Sequence, residues 1–398
     1  MTSPAPPPPQ GAYRALAVAT LAFATNFWAW GLISPLAPAF TDLLSLDPLQ
    51  VSVVVATPVL LGSVARIPLG AMTDRFGGRA MFIALSLVVT LPLLALAFWQ
   101  TFPALLLGGL VLGLAGASFA IGIPFVNAWF PPERRGFALG IYGAGNIGTA
   151  IAGFTAPTLF EEVGTSAPFL LVAGVMLATA IVVALLARDA PTGGSGTATM
   201  VERMRAALGL RITFDLAALY ALTFGGFVAF GVYLPTYLRT TYDLTTADAG
   251  ARAAGFIVLA TLARPVGGWL SDRIGAPKIL GVSLGVVAAG AVVVAFSPPL
   301  IVATGPFLAI AVSLGLGNGA VFALVGRGVP AERVGAVTGF VGAAGGLGGF
   351  VPPLVMGGVY ASTGSYLVGL MLLALVSAAA LWHTLRRFGF DRLPAASA

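Results

Sequence analysis

The chain has 398 residues, of which 58% are hydrophobic and only 9% charged, against about a quarter charged in a typical soluble domain. So few charges cannot cover a water-facing surface, and apolar runs such as residues 80–99 and 166–187 each reach the roughly 20 residues that span a bilayer. With no cysteine and a single histidine, His383, the sequence argues against disulfides, metal clusters, cofactor chemistry and most histidine-based catalysis, hence against an enzyme; the net charge of +6 reads as the basic excess of a membrane protein, with no nucleic acid as partner.

In chain order, residues 1–12 form a proline-rich tail expected to be disordered. It is not read as a signal peptide, because no Lys or Arg precedes Arg14 and the first apolar stretch is too long for a cleavable one. Apolar segments then fall at 13–40, 48–73, 80–99, 103–130, 136–160 and 166–187, and again at 214–238, 247–271, 277–297, 301–326, 335–360 and 364–386. The stretch 188–213 between the two sets is the one long polar linker, and 387–398 is a short tail. The expected domains are thus six-helix bundles at 13–187 and 214–386, in an all-α integral membrane protein of twelve transmembrane helices. With both termini cytoplasmic, Arg75, Arg79, Arg134, Arg135, Arg188, Arg273, Lys278, Arg327 and Arg333 all lie inside, and only Arg239 and Arg252 lie outside. That is the asymmetry the positive-inside rule expects of a multi-pass protein of the cell (inner) membrane.

The halves repeat each other. Residues 65–77, ARIPLGAMTDRFG, match 263–275, ARPVGGWLSDRIG, with Arg66 and Arg264, and Asp74 and Asp272, all separated by 198. Glu133-Arg134-Arg135-Gly136 and Glu332-Arg333-Val334-Gly335 repeat at 199. Two bundles related in this way are a transporter architecture, with the cargo expected near the midplane. The run Gly70-x-x-x-Asp74-Arg75-x-Gly77, echoed by Gly268-x-x-x-Asp272-Arg273-x-Gly275, resembles the helix 2 to 3 loop motif of the major facilitator superfamily and implies its fold, two pseudosymmetric six-helix bundles. Asp74, Arg75, Asp272 and Arg273 are expected to form a cytoplasmic latch, the carboxylates capping a helix or pairing with arginines as the halves rock.

Arg66 lies eight residues before Asp74, or about 12 Å into a hydrocarbon core about 30 Å thick, and Arg264 shares its depth. A central arginine costs at least about 2.5–3.5 kcal/mol to insert, so it faces a cavity. All 14 acidic residues fall in loops or at helix ends, so the counter-charge at that depth is expected to be mobile, which describes an anion site. Arginine suits the task, since its planar fork donates two parallel hydrogen bonds and keeps its charge.

Helix 5 carries Gly140-Ile-Tyr-Gly143-Ala-Gly145-Asn146-Ile-Gly148, and helix 11 carries Gly339, Gly342, Gly345 and Gly346. Small residues at such spacings let helices approach and slide, a packing and gating role. GIYGAGNIG and GFVGAAGGLGG, with Ala65-Arg66-Ile67-Pro68, Gly116–Ala120 and Leu219–Phe227, resemble the nitrate/nitrite porter family. The resemblance implies that Arg66 and Arg264 clamp nitrate or nitrite, that Asn146 and Tyr220 add polar contacts, and that Phe119 and Phe224 flank the planar anion. The second signature has Ala344 and no asparagine, so no matching contact from helix 11 is implied. Exchange by alternating access is the expected mechanism, because proton coupling usually draws on intramembrane Asp, Glu or His. Nitrate/proton symport and a small-carboxylate exchanger, for oxalate or formate, remain open. A non-transporting sensor is disfavoured by the short tail. The expected state is a monomer in membrane lipid.

Overall fold

In a computed structural model of the chain, residues 9–190, 202, 205, 208–329 and 333–389 are described. The tail before residue 9, most of the linker, Glu332 and the chain after Gly389 lie outside the described residues. The described chain is helical, and no β-strand occurs among the described residues.

The helices are α1 (Ala12–Trp30), α2 (Ile33–Leu44), α3 (Pro48–Val64), α4 (Arg66–Phe76), α5 (Gly78–Phe98), α6 (Phe102–Leu112), α7 (Ser118–Trp129), α8 (Pro132–Gly143), α9 (Ile147–Thr158) and α10 (Ala167–Leu186). After the linker come α11 (Arg211–Tyr242), α12 (Thr246–Leu270), α13 (Ala276–Ala295), α14 (Leu300–Gly328), α15 (Val334–Thr363) and α16 (Leu367–Phe388). Nine helical stretches among the described residues are long and apolar enough to cross a bilayer, or up to ten with α3 and α4 taken as one span bent by 41°. One of these, Thr246–Ala295, runs 50 residues and holds two of the predicted segments, α12 and α13 joined through a π-helical turn at Ser271–Gly275. Each of the twelve predicted segments coincides with helix, the fifth as α8 and α9 joined by the 3₁₀ turn Ala144–Asn146.

Several predicted helices are interrupted, and proline explains two of the breaks. Pro68 is the third residue of α4, so the carbonyl of Val64, four residues back, loses its donor just where α3 ends. The flanking bonds survive, Ala65 N to Leu61 O at 2.8 Å and Leu69 N to Ala65 O at 3.0 Å. Pro35 does the same to Gly31, the residue that ends α1.

The chain forms two compact units. The first is Met1–Leu36 with Thr57–Thr197, and the second is Ala37–Ala56 with Ala198–Ala398. In the first, α1 packs on α7, α9 and α10, and α5 lies along α10. In the second, α11 packs on α15, α12 on α14, and α13 on both α14 and α16. The division does not follow the linker alone, because Ala37–Ala56 belongs to the second unit. There Arg239 pairs with Asp42 at 2.5 Å, and Gly357 fits against Ser52 and the Pro48 carbonyl with no room for a side chain.

Candidate functional site

In the first unit Arg66 opens α4 immediately after the bend, which puts its side chain beside the 3₁₀ segment Gly113–Ala117 between α6 and α7. Gly113 lets that segment approach the α3 backbone, since a methyl there would run into the Pro58 carbonyl. Arg66 is 6% exposed. Its Nε donates a long hydrogen bond, 3.4 Å, to the Gly116 carbonyl, and its guanidinium lies 5.9 Å from the Phe119 ring centroid, within cation–π range. Phe119 stacks on Tyr142 at 6.1 Å, and Tyr142 stacks on Phe23 at 4.8 Å. Tyr142 donates its hydroxyl to Ser118 O at 2.7 Å. Asn146 closes the 3₁₀ turn of the fifth segment, 2% exposed. Its amide N–H donates to Gly143 O at 2.7 Å, and its Oδ1 is buried with no hydrogen-bond partner among the described residues.

The second unit builds its arginine differently. Arg264 lies inside the unbroken helix α12, six residues before its end, and is half-buried. Its Nη2 donates to the Tyr220 hydroxyl at 2.6 Å. Three rings surround the guanidinium, Phe224 at 5.4 Å, Phe322 at 5.5 Å and Tyr220 at 6.0 Å. Tyr220 and Phe224, one turn apart on α11, stack at 5.0 Å with their planes 2° apart, and Phe322 meets Tyr220 edge-on at 4.9 Å. Such rings hold a cation by their negative faces while excluding bulk water.

The structure therefore gathers Arg66 with Phe119, and Arg264 with Tyr220 and Phe224. Sequence reading missed Tyr142, Phe23 and Phe322. The repeat gave no signal for Tyr142, which Val341 matches in the second signature, whereas Phe23 stands 197 residues before Tyr220 and lies, like it, against a signature glycine of its own unit.

The signature glycines divide into two kinds. A methyl at Gly145 would strike Phe23, and one at Gly148 the Ala24 carbonyl of α1. In the other unit a methyl at Gly345 would strike Tyr220 and one at Gly348 the Ala221 carbonyl of α11. Gly349, at the end of the second signature, is equally tight against Val228. Around Gly140, Gly143, Gly339 and Gly342 a methyl would meet nothing within 4 Å.

Of the four latch residues, Asp74 lies in the last turn of α4 and Arg75 sits over the neighbouring Phe76 ring at 5.2 Å. Asp272 accepts from Arg327 at 2.6 Å, an ion pair inside the second unit. Arg273 stacks over Trp269 at 4.0 Å.

Comparison with known proteins agrees with this architecture. The chain is 46% identical over 378 residues to the probable nitrate/nitrite transporter NarK2 of Mycobacterium tuberculosis, covering 93% of this chain and 95% of that one. It is 37% identical over 367 residues to the nitrite extrusion protein of Bacillus subtilis, covering 92% and 91%, and 38% identical over 371 residues to the probable nitrate transporter NarT of Staphylococcus carnosus, covering 92% and 95%. Among solved structures, a bacterial homologue of the human lysosomal transporter Spinster superposes with a TM-score of 0.75 over 97% of this chain and 100% of that one, at 19% identity, which shows a shared fold. The sequence profile of the Major Facilitator Superfamily matches residues 19–353 and again 216–390. Twelve helical segments in two repeated halves, each with a ring-lined arginine, therefore belong to a multi-pass membrane transporter of the Major Facilitator Superfamily.

Proposed function

We propose that the chain carries nitrate and nitrite across the membrane, with Arg66 and Arg264 as ligands of the anion. The observation that carries this reading is that both arginines, 198 residues apart in matching repeats, lie on aromatic faces, Arg66 by Phe119 and Arg264 by Phe224. A guanidinium beside a ring presents a planar, weakly hydrated fork that suits a planar, weakly hydrated oxyanion. The relatives named for nitrate or nitrite transport support the choice of anion. Tyr220 adds a hydroxyl from α11, and Asn146 an amide from the fifth segment once it swings off Gly143. The glycines that pack tightly let α9 and α15 slide along α1 and α11 as the arginines face alternate sides of the membrane.

Transport is by exchange. Every Asp, Glu and His among the described residues lies in a loop, in the π-turn Ser271–Gly275 or near a helix end, far from the depth at which a proton carrier would couple to the anion. The protein sits in the cell (inner) membrane with both termini cytoplasmic, and each monomer carries its own arginine pair.

Counterflow into proteoliposomes tests the reading. Vesicles loaded with nitrite are expected to take up labelled nitrate without a pH gradient, with nitrite competing and formate or oxalate not. Uptake that requires a pH gradient and ignores internal nitrite would overturn exchange, and competition by oxalate would overturn the choice of anion. Arg66→Lys and Arg264→Lys that both transport with unchanged affinity would remove the arginines from the site.

A further inference from the structure

Asn318, on α14, is 2% exposed, and its Oδ1 has no hydrogen-bond partner among the described residues. Phe322 lies one turn further along the same helix, and residues four apart share a helix face. That face is the one presented to the arginine, since Phe322 is 5.5 Å from the Arg264 guanidinium and edge-on to Tyr220 at 4.9 Å. The helix is held there firmly. Gly315 and Gly319 bring α14 against the backbone of α12 at Ala260, Arg264 and Gly268, leaving no space for a side chain at either glycine. Leaving a buried amide oxygen unbonded destabilises a fold, and a leucine of similar volume would avoid the problem.

Register sharpens the point. Asn318 stands 199 residues after Phe119, whose ring lies under Arg66, and Gly346 stands 200 after Asn146. In the first unit the ring comes from the fourth predicted helix and the amide from the fifth. In the second the amide sits on the tenth, the eleventh has glycine in its place, and the ring has moved one turn on to Phe322. Asn146 in the first unit and Asn318 in the second are both buried amides whose Oδ1 has no hydrogen-bond partner among the described residues, and they come from different helices of the repeat.

We propose that Asn318 is a specificity-determining residue for the anion held by Arg264, donating an amide N–H to the oxygen that the arginine fork does not take. The inference rests on the reading of Arg264 as an anion ligand. A guanidinium engages two oxygens of a planar oxyanion in parallel. A three-oxygen anion leaves one oxygen outside the Arg264 fork, which can accept a further donor beside whatever Arg66 supplies, whereas a two-oxygen anion leaves none outside that fork. The asparagine amide carries two donors and presents either end by rotation about its terminal bond. Asn318 therefore favours nitrate over nitrite.

The test measures KM for nitrate and for nitrite in proteoliposomes of the full chain, alongside thermal stability without anion, for the wild type and Asn318→Leu. The nitrate KM is expected to rise about tenfold, the usual effect of losing one hydrogen bond to a charged group, and the nitrite KM less than about twofold. Melting without anion is expected at or above the wild-type temperature, because Oδ1 has no partner to lose. Equal changes for both anions, no change for either, or a lowered melting temperature with parallel loss of both would overturn the proposal. If the leucine variant does not fold, Asn318→Ser, too short to reach, must move the ratio in the same direction, and an unmoved ratio overturns the proposal. Wild-type vesicles that carry neither anion overturn the underlying reading as well, whereas wild-type transport with an unmoved ratio overturns this inference alone.

Discussion

The two repeats start from nearly the same words, ARIPLG and ARPVGG, yet they surround their arginines differently. In the first unit the arginine stands at a helix break, and a backbone carbonyl, Gly116 O, accepts from it. In the second the arginine is inside a continuous helix, and a phenol hydroxyl, Tyr220 Oη, accepts instead. Proline alone does not account for this, because Pro68 frees the Val64 carbonyl two residues before Arg66 and Pro265 frees the Thr261 carbonyl three residues before Arg264, yet only the first coincides with a helix break. The aromatic bulk also changes helix. Tyr142 stands in the first signature where the second has Val341, and Phe23 lies on its glycine as Tyr220 lies on Gly345. A duplicated framework thus surrounds two arginines of equal charge with different acceptors.

Substitutions can break or sharpen this contrast. The largest effect is expected from Arg264→Lys, which keeps the charge but removes the fork and its bond to Tyr220, lowering kcat/KM by about a hundredfold, the equivalent of two charge-assisted hydrogen bonds. Arg66→Lys is expected to fall in the same range, and a tenfold or smaller loss in both would leave the fork unimportant. Next come the two tyrosines. Tyr220→Phe removes the acceptor of Arg264 and should lower nitrate affinity about tenfold. Tyr142→Phe, whose hydroxyl donates to Ser118 O at 2.7 Å, should lower stability by about 1 kcal/mol and change affinity less than threefold. Equal effects on affinity would erase the difference between the half-sites.

The glycines give a smaller contrast, read in thermal stability. Gly148→Ala forces a methyl into the Ala24 carbonyl and should destabilise by about 1–3 kcal/mol. Gly140→Ala, with open space around it, should be neutral or stabilise by up to about 1 kcal/mol through helix propensity. Smallest of all is Asp272→Asn. Its ion pair with Arg327 is solvent-exposed, with side chains 67% and 35% accessible, so the expected loss is below about 1 kcal/mol and shrinks in high salt. A large loss of transport in this variant with unchanged stability would make the pair a moving part rather than a surface contact.

Much of the fold was legible without coordinates. Apolar length located each span, because a bilayer demands about 20 residues regardless of what packs against them. The breaks at Gly31 and Val64 were written as Pro35 and Pro68 but were not read, since proline inside a membrane helix is often absorbed, as Pro235 is within the unbroken α11. At the site, Arg66 and Arg264 stood out because buried charge is rare, whereas Phe322 was one phenylalanine among 26 and composition could not single it out.

The sequence by itself determined that the chain lives in a membrane, that it is a duplicated bundle and that two arginines hold matching places in its repeats. Each of these follows from one-dimensional quantities, namely run length and repeat offset. Only the tertiary structure decided which glycines touch a neighbouring helix, which tyrosine offers its hydroxyl to an arginine, and that an amide on α14 is buried with its Oδ1 unbonded among the described residues. Those depend on how helices rotate about their own axes against one another, a property that spacing along a single chain does not contain.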